Sequence, residues 1–252
     1  MEANQIFASL IIALTLILVL ITTNFVRRGR LNVILRRIPA YERIPSLVGL
    51  SIESSRPLHI SLGSAGIGDE STILAITSAE LAYQVTNRAA IGDAPPILTL
   101  SNTSAIPLGQ DTLRRAYNQR GLSERYSTTN VRWYPNGPRS LVFAAVVSTM
   151  IKDDKVAASI MGGSYGAELA LITDASKRSD VPIVAYSNQL EGQAVAYALA
   201  DEALIGEEIF AVGTYLEGGS VQVSESIVID VLRWLLIIVM IIGFVAGFLN
   251  GR

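Results

Sequence analysis

The residues Gly162-Gly163-Ser164-Tyr165-Gly166 match the pattern G-x-S-x-G, which in α/β hydrolases presents a nucleophilic serine between a strand and a helix. Such a serine needs a base, and in hydrolases of this kind a histidine follows the serine in the chain. The single histidine, His59, precedes Ser164. Lysine is the other conceivable base. The sequence contains three lysines, Lys152, Lys155 and Lys177, and none of them stands at a spacing from Ser164 that requires this role. Ser164 is therefore a candidate nucleophile without an identified partner, and a glycine-rich turn with Ser164 as helix N-cap is the alternative.

A second glycine-containing segment, Gly63-Ser64-Ala65-Gly66-Ile67-Gly68, follows an apolar run and precedes a helix-like one. Successive backbone N–H groups at such a turn can bind an anion, assisted by the helix N-terminus. The candidate ligand-binding residues here are Gly63, Ser64, Gly66, Gly68 and Asp69. The order G-x-x-G-x-G differs from the dinucleotide fingerprint G-x-G-x-x-G, and the Lys-Ser/Thr of a P-loop is missing. A tight strand-to-helix turn without a ligand explains the same glycines.

Residue types that bind metals are scarce. The 252 residues include no cysteine and one histidine, which excludes disulfides, thiolate sites and histidine-rich metal sites. The pairs Asp153-Asp154, Asp201-Glu202 and Glu207-Glu208 fall at the ends of predicted elements, where their spacing makes no metal site. We therefore predict no metal and no cofactor. His59 lies inside an apolar run and is interpreted as a core histidine.

Short apolar runs alternate with longer amphipathic ones through the middle of the chain. Strands are predicted at 58–62, 96–101, 131–134, 156–161, 181–186 and 203–205, and helices at 70–91, 109–120, 164–176, 189–200 and 207–216. Segment 141–151 fits either a helix or a buried strand. This alternation indicates an α/β fold, with a mostly parallel sheet covered by helices on both faces.

Apolar segments lie at both ends of the chain. Residues 6–26 carry no charge, and at about 1.5 Å per helical residue they cover the roughly 30 Å core of a bilayer. A second uncharged run, 234–249, lies within a predicted span at 227–250. We therefore divide the chain into a short outer N-terminus (1–5), transmembrane helix 1 (6–26), an arginine-rich juxtamembrane linker (27–45), a cytoplasmic α/β domain (46–226) and transmembrane helix 2 (227–250).

Basic residues set the predicted orientation. An acidic N-terminal flank, Glu2, and the absence of a small-x-small site before the arginines favour an uncleaved anchor over a signal peptide. Cytoplasmic flanks are the arginine-rich ones, so the domain is predicted to lie inside a bacterial inner (plasma) membrane, with both termini outside. Pro39 and Pro45 are predicted to end the linker. The topology determinants are Arg27, Arg28, Arg30, Arg36, Arg37 and Arg233.

Three glycines near the C-terminus, Gly243, Gly247 and Gly251, stand four residues apart. In an apolar helix this spacing lets two backbones approach closely, which would join two spans or two copies. The alternative is that glycine is simply common in membrane helices.

The segment 44–226 carries 12 basic and 19 acidic side chains. Nucleic-acid binding needs clustered lysine and arginine, so nucleic acid is not expected as a partner. The expected partners are the lipid bilayer and either further copies of this chain or another membrane protein.

The short N-terminus, the arginine-rich flank, the segment His59-Ile60-Ser61-Leu62-Gly63-Ser64-Ala65-Gly66 and the closing apolar span together resemble a family of bacterial membrane proteins of unknown function. That resemblance covers nearly the whole chain and implies no activity.

Segments 181–186 and 194–206 are similar to part of the ClpP/crotonase superfamily, which includes membrane-anchored signal-peptide-peptidase-like serine proteases. In those proteases a Ser-Gly-Gly stretch opens the matching helix. Here the corresponding residues are Glu191-Gly192-Gln193, so the resemblance implies a catalytically silent relative. Shared α/β architecture would explain the same residues.

Three classes of function remain at this point. A structural, scaffolding or interaction protein that self-associates is favoured, and it predicts a stable oligomer. A ligand-sensing module predicts an anion or small-molecule pocket at the Gly63–Asp69 turn. A membrane-bound serine peptidase-like protein, active or inactive, predicts Ser164 beside a lysine or His59.

Overall fold

The computed structural model describes residues 13, 15–25, 35–219, 224, 227–238, 240 and 241. The chain divides into two compact units. The α/β unit is Arg37–Val212, and the terminal unit combines Met1–Arg36 with Gly213–Arg252.

Six strands form one sheet in the α/β unit: β1 Leu58–Gly63, β2 Ile97–Leu100, β3 Val131–Trp133, β4 Ala158–Ser164, β5 Ile183–Ser187 and β6 Glu202–Ala203. Every neighbouring pair is parallel, and the order across the sheet is β3-β2-β1-β4-β5-β6. The predicted parallel α/β fold is thereby confirmed.

Six helices connect and cover the strands: α1 Pro39–Ser54, α2 Thr72–Ala89, α3 Ile106–Gln119, α4 Leu141–Asp153, α5 Leu169–Arg178 and α6 Leu190–Leu199. Neighbouring helices pack together as α1–α2–α3 and as α4–α5–α6. All residues of β1, β2, β4 and β5 are buried, which requires cover on both faces of the sheet.

The two faces of the sheet have different cores. On the α1–α3 side, Ile60 of β1 lies beside Leu98 of β2. On the α4–α6 side, His59 lies between Ile97 and Ser159. That second face packs on an apolar cluster from α4, α5 and their neighbours, which includes Phe143 and Ile172.

Helix α1 differs from the predicted linker. Pro39 occupies its first turn, where the missing N–H costs nothing, and Pro45 lies inside it without ending it. Helix α1 belongs to the α/β unit, which spans Arg37–Val212. The Tyr41 hydroxyl donates to the carbonyl oxygen of Glu208 at 2.7 Å, so the first helix is fastened to the last turn of the unit.

Two other sequence predictions are corrected. Gly109 does not start α3, because it lies within it: an added Cβ would stand 2.9 Å from Leu98 Cδ2, so glycine lets the helix approach the sheet. Segment 207–216 forms no continuous α-helix but a 3₁₀ helix, Gly206–Ala211, followed by a π-helical turn, Gly213–Glu217.

The terminal unit contains helical residues at 13, 15–25 and 227–238. The Thr23 and Ser224 hydroxyls are hydrogen-bonded at 2.7 Å, and the Tyr215 hydroxyl donates to the carbonyl oxygen of Arg36. Across the described part of the chain, no helix is both long enough and apolar enough to cross a membrane. Parts of both predicted spans lie outside the described residues, as do these predicted determinants: Arg27, Arg28, Arg30, Gly243, Gly247 and Gly251.

Candidate functional site

The strand order reverses between β1 and β4, which lie side by side at the centre of the sheet. The chain proceeds from β1 to one edge and from β4 to the other. In doubly wound sheets of this order, ligands bind outside the carboxyl ends of the two central strands. Gly63 ends β1, Ser164 ends β4, and the two residues are paired after a register shift that follows Ser61. The structure thus brings the two sequence-predicted motifs to one place.

The Gly63–Asp69 turn uses its own backbone donors internally. The Ser64 N–H donates to the Ser164 carbonyl oxygen at 3.0 Å, and the Ala65 N–H donates to Leu62. The next three N–H groups, those of Gly66, Ile67 and Gly68, donate at 2.8–2.9 Å to the hydroxyls of Ser71, Ser104 and Thr72. Five successive donors that an anion would need are therefore occupied by the protein itself.

Asp69 places a negative charge at the start of α2. Its carboxylate accepts hydrogen bonds from the N–H and the hydroxyl of Ser71, and these bonds hold the pKa of Asp69 below its ordinary value. The helix begins at Thr72, with Asp69 three residues before it. The Asp69 carboxylate thus lies near the helix N-terminus, where the helix dipole would otherwise favour an external anion.

Gly63 is required by the close approach of β1 to β4. Its φ is +58°, and a Cβ added there would lie 2.4 Å from the Ser164 carbonyl oxygen and 2.6 Å from the Tyr165 ring. Burial raises the pKa of Tyr165, whose ring is fully enclosed beneath Gly63. The close approach of the two strands is by itself sufficient to require glycine at this position.

The prediction that Ser164 caps a helix in a glycine-rich turn is wrong. Ser164 is the last residue of β4, and α5 begins five residues later, after Glu168. Gly162 and Gly163 lie within the strand. Glycine is needed at both positions, because added Cβ atoms would stand 2.7 Å from Leu81 Cδ2 and 2.0 Å from the Leu62 carbonyl oxygen, respectively.

Among the residues that the structure describes, no histidine, lysine or carboxylate is hydrogen-bonded to the Ser164 hydroxyl. Its side chain is 7% exposed, and its Oγ accepts a hydrogen bond from Nε2 of Gln189 at 3.0 Å. Lys152 and Lys177 lie in the last turns of α4 and α5, and Lys155 precedes β4. In a parallel sheet those positions belong to the amino edge, opposite Ser164.

His59 lies in the core with both ring nitrogens hydrogen-bonded. Its Nδ1 lies 2.7 Å from Ser159 Oγ and its Nε2 lies 2.8 Å from Thr99 Oγ1, and the ring is fully buried. Burial, with a smaller contribution from the charge of Arg132, lowers the pKa of His59 to about 3. The ring is neutral at physiological pH, and both nitrogens are already engaged.

At the carboxyl ends of β4 and β5, side-chain hydroxyl and carboxylate groups hydrogen-bond the backbone that follows β4. Glu168 is buried and accepts the N–H of Gly166 at 2.8 Å. The Ser187 hydroxyl accepts the N–H of Tyr165 and donates to its carbonyl oxygen. Gly192 passes so close that a Cβ there would lie 2.2 Å from that same oxygen. The start of α6 thus packs tightly at Gly192, while Glu191 is exposed in the first turn of the helix.

Metal-binding groups are not clustered. Within the described residues, no set of three or more histidine and acidic side chains could hold a metal ion. Of the predicted topology determinants, Arg37 forms an ion pair with Glu42 at 2.8 Å, which raises the pKa of Arg37 and lowers that of Glu42. Arg233 lies 3.6 Å from Asp230.

One exposed surface was not identified from the sequence. Helix α6 buries only Gly192 and Ala196, while Leu190 and Tyr197 are 83% and 80% exposed. Ala194 and Ala198 are exposed on the same side. We call Leu190, Ala194, Tyr197 and Ala198 the α6 face. The apolar spacing of this face can be recognised in the sequence, since residues at positions i, i+4, i+7 and i+8 lie on one side of a helix.

A family model described as "Domain of unknown function (DUF6754)" matches residues 1–251, so the chain belongs to that family. No curated protein and no solved structure matches the chain. The expectation of a family of unknown function that covers nearly the whole chain is confirmed.

Proposed function

We propose that this member of the DUF6754 family is a membrane-anchored assembly protein, whose α/β unit self-associates through the α6 face. The single observation that carries the proposal is the exposure of Leu190 and Tyr197 on one side of helix α6. Single exposed apolar residues are normal on protein surfaces, whereas Leu190 and Tyr197 lie on one side of the same helix and form an apolar patch with Ala194 and Ala198.

A second copy of the chain is the occupant that fits this face. Large and small side chains alternate along it, with Leu190 and Tyr197 interleaved with Ala194 and Ala198. In an antiparallel pair about a two-fold axis at Ala194, Leu190 of each copy packs on Ala198 of the other. A two-fold interface requires such self-complementarity.

Membrane anchoring makes a small interface sufficient. Helix α6 has 10 residues and is about 15 Å long, which is short for a stable interface between freely diffusing proteins. Confinement to one membrane raises the effective concentration of neighbouring copies. The uncharged run at 6–26, the arginine-rich flank and the apolar run at 234–249 support the anchors.

The terminal unit supports a pair of antiparallel spans. Thr23 lies near the end of the first apolar run and Ser224 precedes the second, and their hydroxyls are joined at 2.7 Å. Contact between the end of one segment and the start of the other is what two antiparallel helices require. In this proposal the α/β unit lies in the cytoplasm of a bacterial cell and both chain termini lie outside.

Assembly is favoured over catalysis and over anion sensing by the contacts at the strand reversal. Ser164 is bonded to Gln189 and stands apart from His59, and the N–H groups of the Gly63–Asp69 turn are occupied by protein acceptors. These groups stabilise the junction of β1 and β4.

Cysteine crosslinking tests the proposal directly, because the chain contains no cysteine. In membranes under mild oxidation, Ala194→Cys is expected to form a disulfide-linked dimer, since Ala194 lies at the proposed two-fold axis. Ile91→Cys is the control, because Ile91 is 60% exposed but lies outside α6. Equal crosslinking of both variants, or none by Ala194→Cys, would contradict the proposal.

A further inference from the structure

A cavity of about 680 Å³ opens at the amino edge of the sheet, away from the strand reversal. The ends of α4 and α5 and the residues that precede β1, β4 and β5 form its walls. Its volume falls within the range of small-molecule sites. The lining residues that carry charge are Arg56, Lys152, Lys155, Arg178 and Asp153. We call this space the amino-edge cavity.

Four cations and one carboxylate meet in this cavity, although acidic side chains outnumber basic ones over residues 44–226. Lys152 and Arg178 stand in last helical turns, where the helix dipole favours a cation. That explanation does not extend to Arg56, which follows α1, or to Lys155, which lies beyond the end of α4. Three segments of the chain therefore contribute positive charge to one concave surface.

Arg56 is held in place by the backbone. Its Nε donates to the carbonyl oxygen of Lys155 at 2.6 Å, and an Nη donates to that of Val156 at 2.8 Å. A guanidinium has five N–H donors, so these two bonds orient the group and leave donors for an anion. Among the described residues, Lys152 and Lys155 form no ion pair, and Arg178 lies 3.0 Å from Asp174.

Lys155 keeps a side chain where glycine is favoured. Its φ is +50°, and it follows the C-cap of α4, with the Val156 N–H bonded to the Ile151 carbonyl oxygen. Glycine is the usual residue in this helix-ending geometry, and Gly121 occupies the left-handed position after α3. This left-handed position is thus occupied by a charged residue that lines the cavity.

We propose that the amino-edge cavity binds a small molecule that carries two or more phosphate groups. Several converging cations match a multiply charged anion, and oriented guanidinium groups bind phosphate oxygens in pairs. A nucleic acid or a lipid surface would require an extended basic face, whereas this charge is confined to one cavity in an acidic unit. The proposal does not depend on self-association or on the membrane anchors.

The test uses the full-length chain in mild detergent, with inorganic phosphate, pyrophosphate and tripolyphosphate as probes. Calorimetry is expected to show affinity that rises with the number of phosphates. Lys152→Met is expected to weaken tripolyphosphate binding about tenfold. Lys177→Met is the matched control, because Lys177 is also in a last helical turn but does not line the cavity.

Three outcomes would overturn the proposal: no binding of any probe to the wild-type chain, equal affinity for all three probes, or equal weakening by Lys152→Met and Lys177→Met. The last outcome would identify a general charge effect. Crosslinking through Ala194→Cys is measured separately, so failure here leaves the assembly proposal standing, and the reverse also holds.

Discussion

The backbone N–H of Ser64 donates to the carbonyl oxygen of Ser164 at 3.0 Å, and the Ser64 hydroxyl donates to the same oxygen. One carbonyl thus joins two glycine-containing motifs that lie 100 residues apart in the chain. Each motif taken alone has the composition of a ligand or catalytic turn. Joined in this way, they connect β1 to β4, the two adjacent strands at the centre of the sheet.

Gly63→Ala is expected to destabilise the α/β unit by about 2–3 kcal/mol, because positive φ and a clash with the Ser164 carbonyl oxygen act together. Gly121→Ala is the control. Its φ is +70° with nothing within 4 Å of an added Cβ, so only the backbone cost of about 1 kcal/mol remains. Denaturant unfolding of the full-length chain measures both, and equal losses would show that the close approach is unimportant.

The buried His59 predicts acid sensitivity. Its pKa is about 3 in the folded chain against an ordinary 6.5, so the unfolded chain binds the extra proton between those values. The contribution of His59 to the free energy of unfolding is therefore present above pH 6.5 and is lost progressively as the pH is lowered toward 3. Between pH 6.5 and pH 5 the loss from this group is expected to be about 2 kcal/mol.

His59→Gln isolates this contribution, since the chain has no other histidine. The variant is expected to be less stable at pH 7 but to lose less stability on acidification to pH 5. Urea unfolding at the two pH values gives the comparison. Identical pH dependence in the variant and the wild-type chain would exclude His59 as the source.

Ser164 is expected not to react with a fluorophosphonate probe, because its hydroxyl accepts a hydrogen bond from Gln189 and no base in the described part of the chain is bonded to it. The measurement compares the wild-type chain, Ser164→Ala and an active serine hydrolase as positive control. Labelling of the wild-type chain that disappears in Ser164→Ala would reinstate the peptidase hypothesis.

Lys155→Gly is expected to raise stability by about 1 kcal/mol, because glycine adopts positive φ without steric cost. The same variant is expected to weaken tripolyphosphate binding. Asp180→Gly is the matched control, since Asp180 has φ +53° after α5 but does not line the cavity. It should gain similar stability and leave binding unchanged, and a loss of binding there would point to an effect of backbone rigidity.

Membrane orientation is tested with Ile91→Cys, which is 60% exposed in the α/β unit. In intact cells this cysteine is expected to resist a membrane-impermeant thiol reagent and to react after permeabilisation. Rapid labelling of intact cells would place the unit outside the membrane.

Most elements of the α/β unit could be predicted from the sequence, because strand and helix periodicities differ and the turns contain glycine or proline. The errors occur where a residue serves tertiary packing. Gly162 and Gly163 resemble a turn, but the structure uses them to admit Leu81 and the Leu62 backbone. Pro45 resembles a helix end, but buried contacts of Ile44 and Leu47 hold α1 together around it.

The strand order and the amino-edge cavity could not be predicted. Local patterns do not specify which side of β1 receives β4, and that choice brings Gly63 to Ser164. Arg56 and Lys155 are 99 positions apart, and only the parallel alignment of β1 and β4 brings them together at one edge.

The hydrogen bond from Tyr41 to Glu208 has a consequence for how the protein can be modified. It joins the two ends of the α/β unit, so the unit is an insertion whose entry and exit are tied. A chain with this architecture is modular: its terminal segments can be exchanged for other sequences without altering the covalent path through the sheet. Expressed alone, Arg37–Val212 retains every strand and helix of the sheet domain, which makes it the natural starting segment for transplantation.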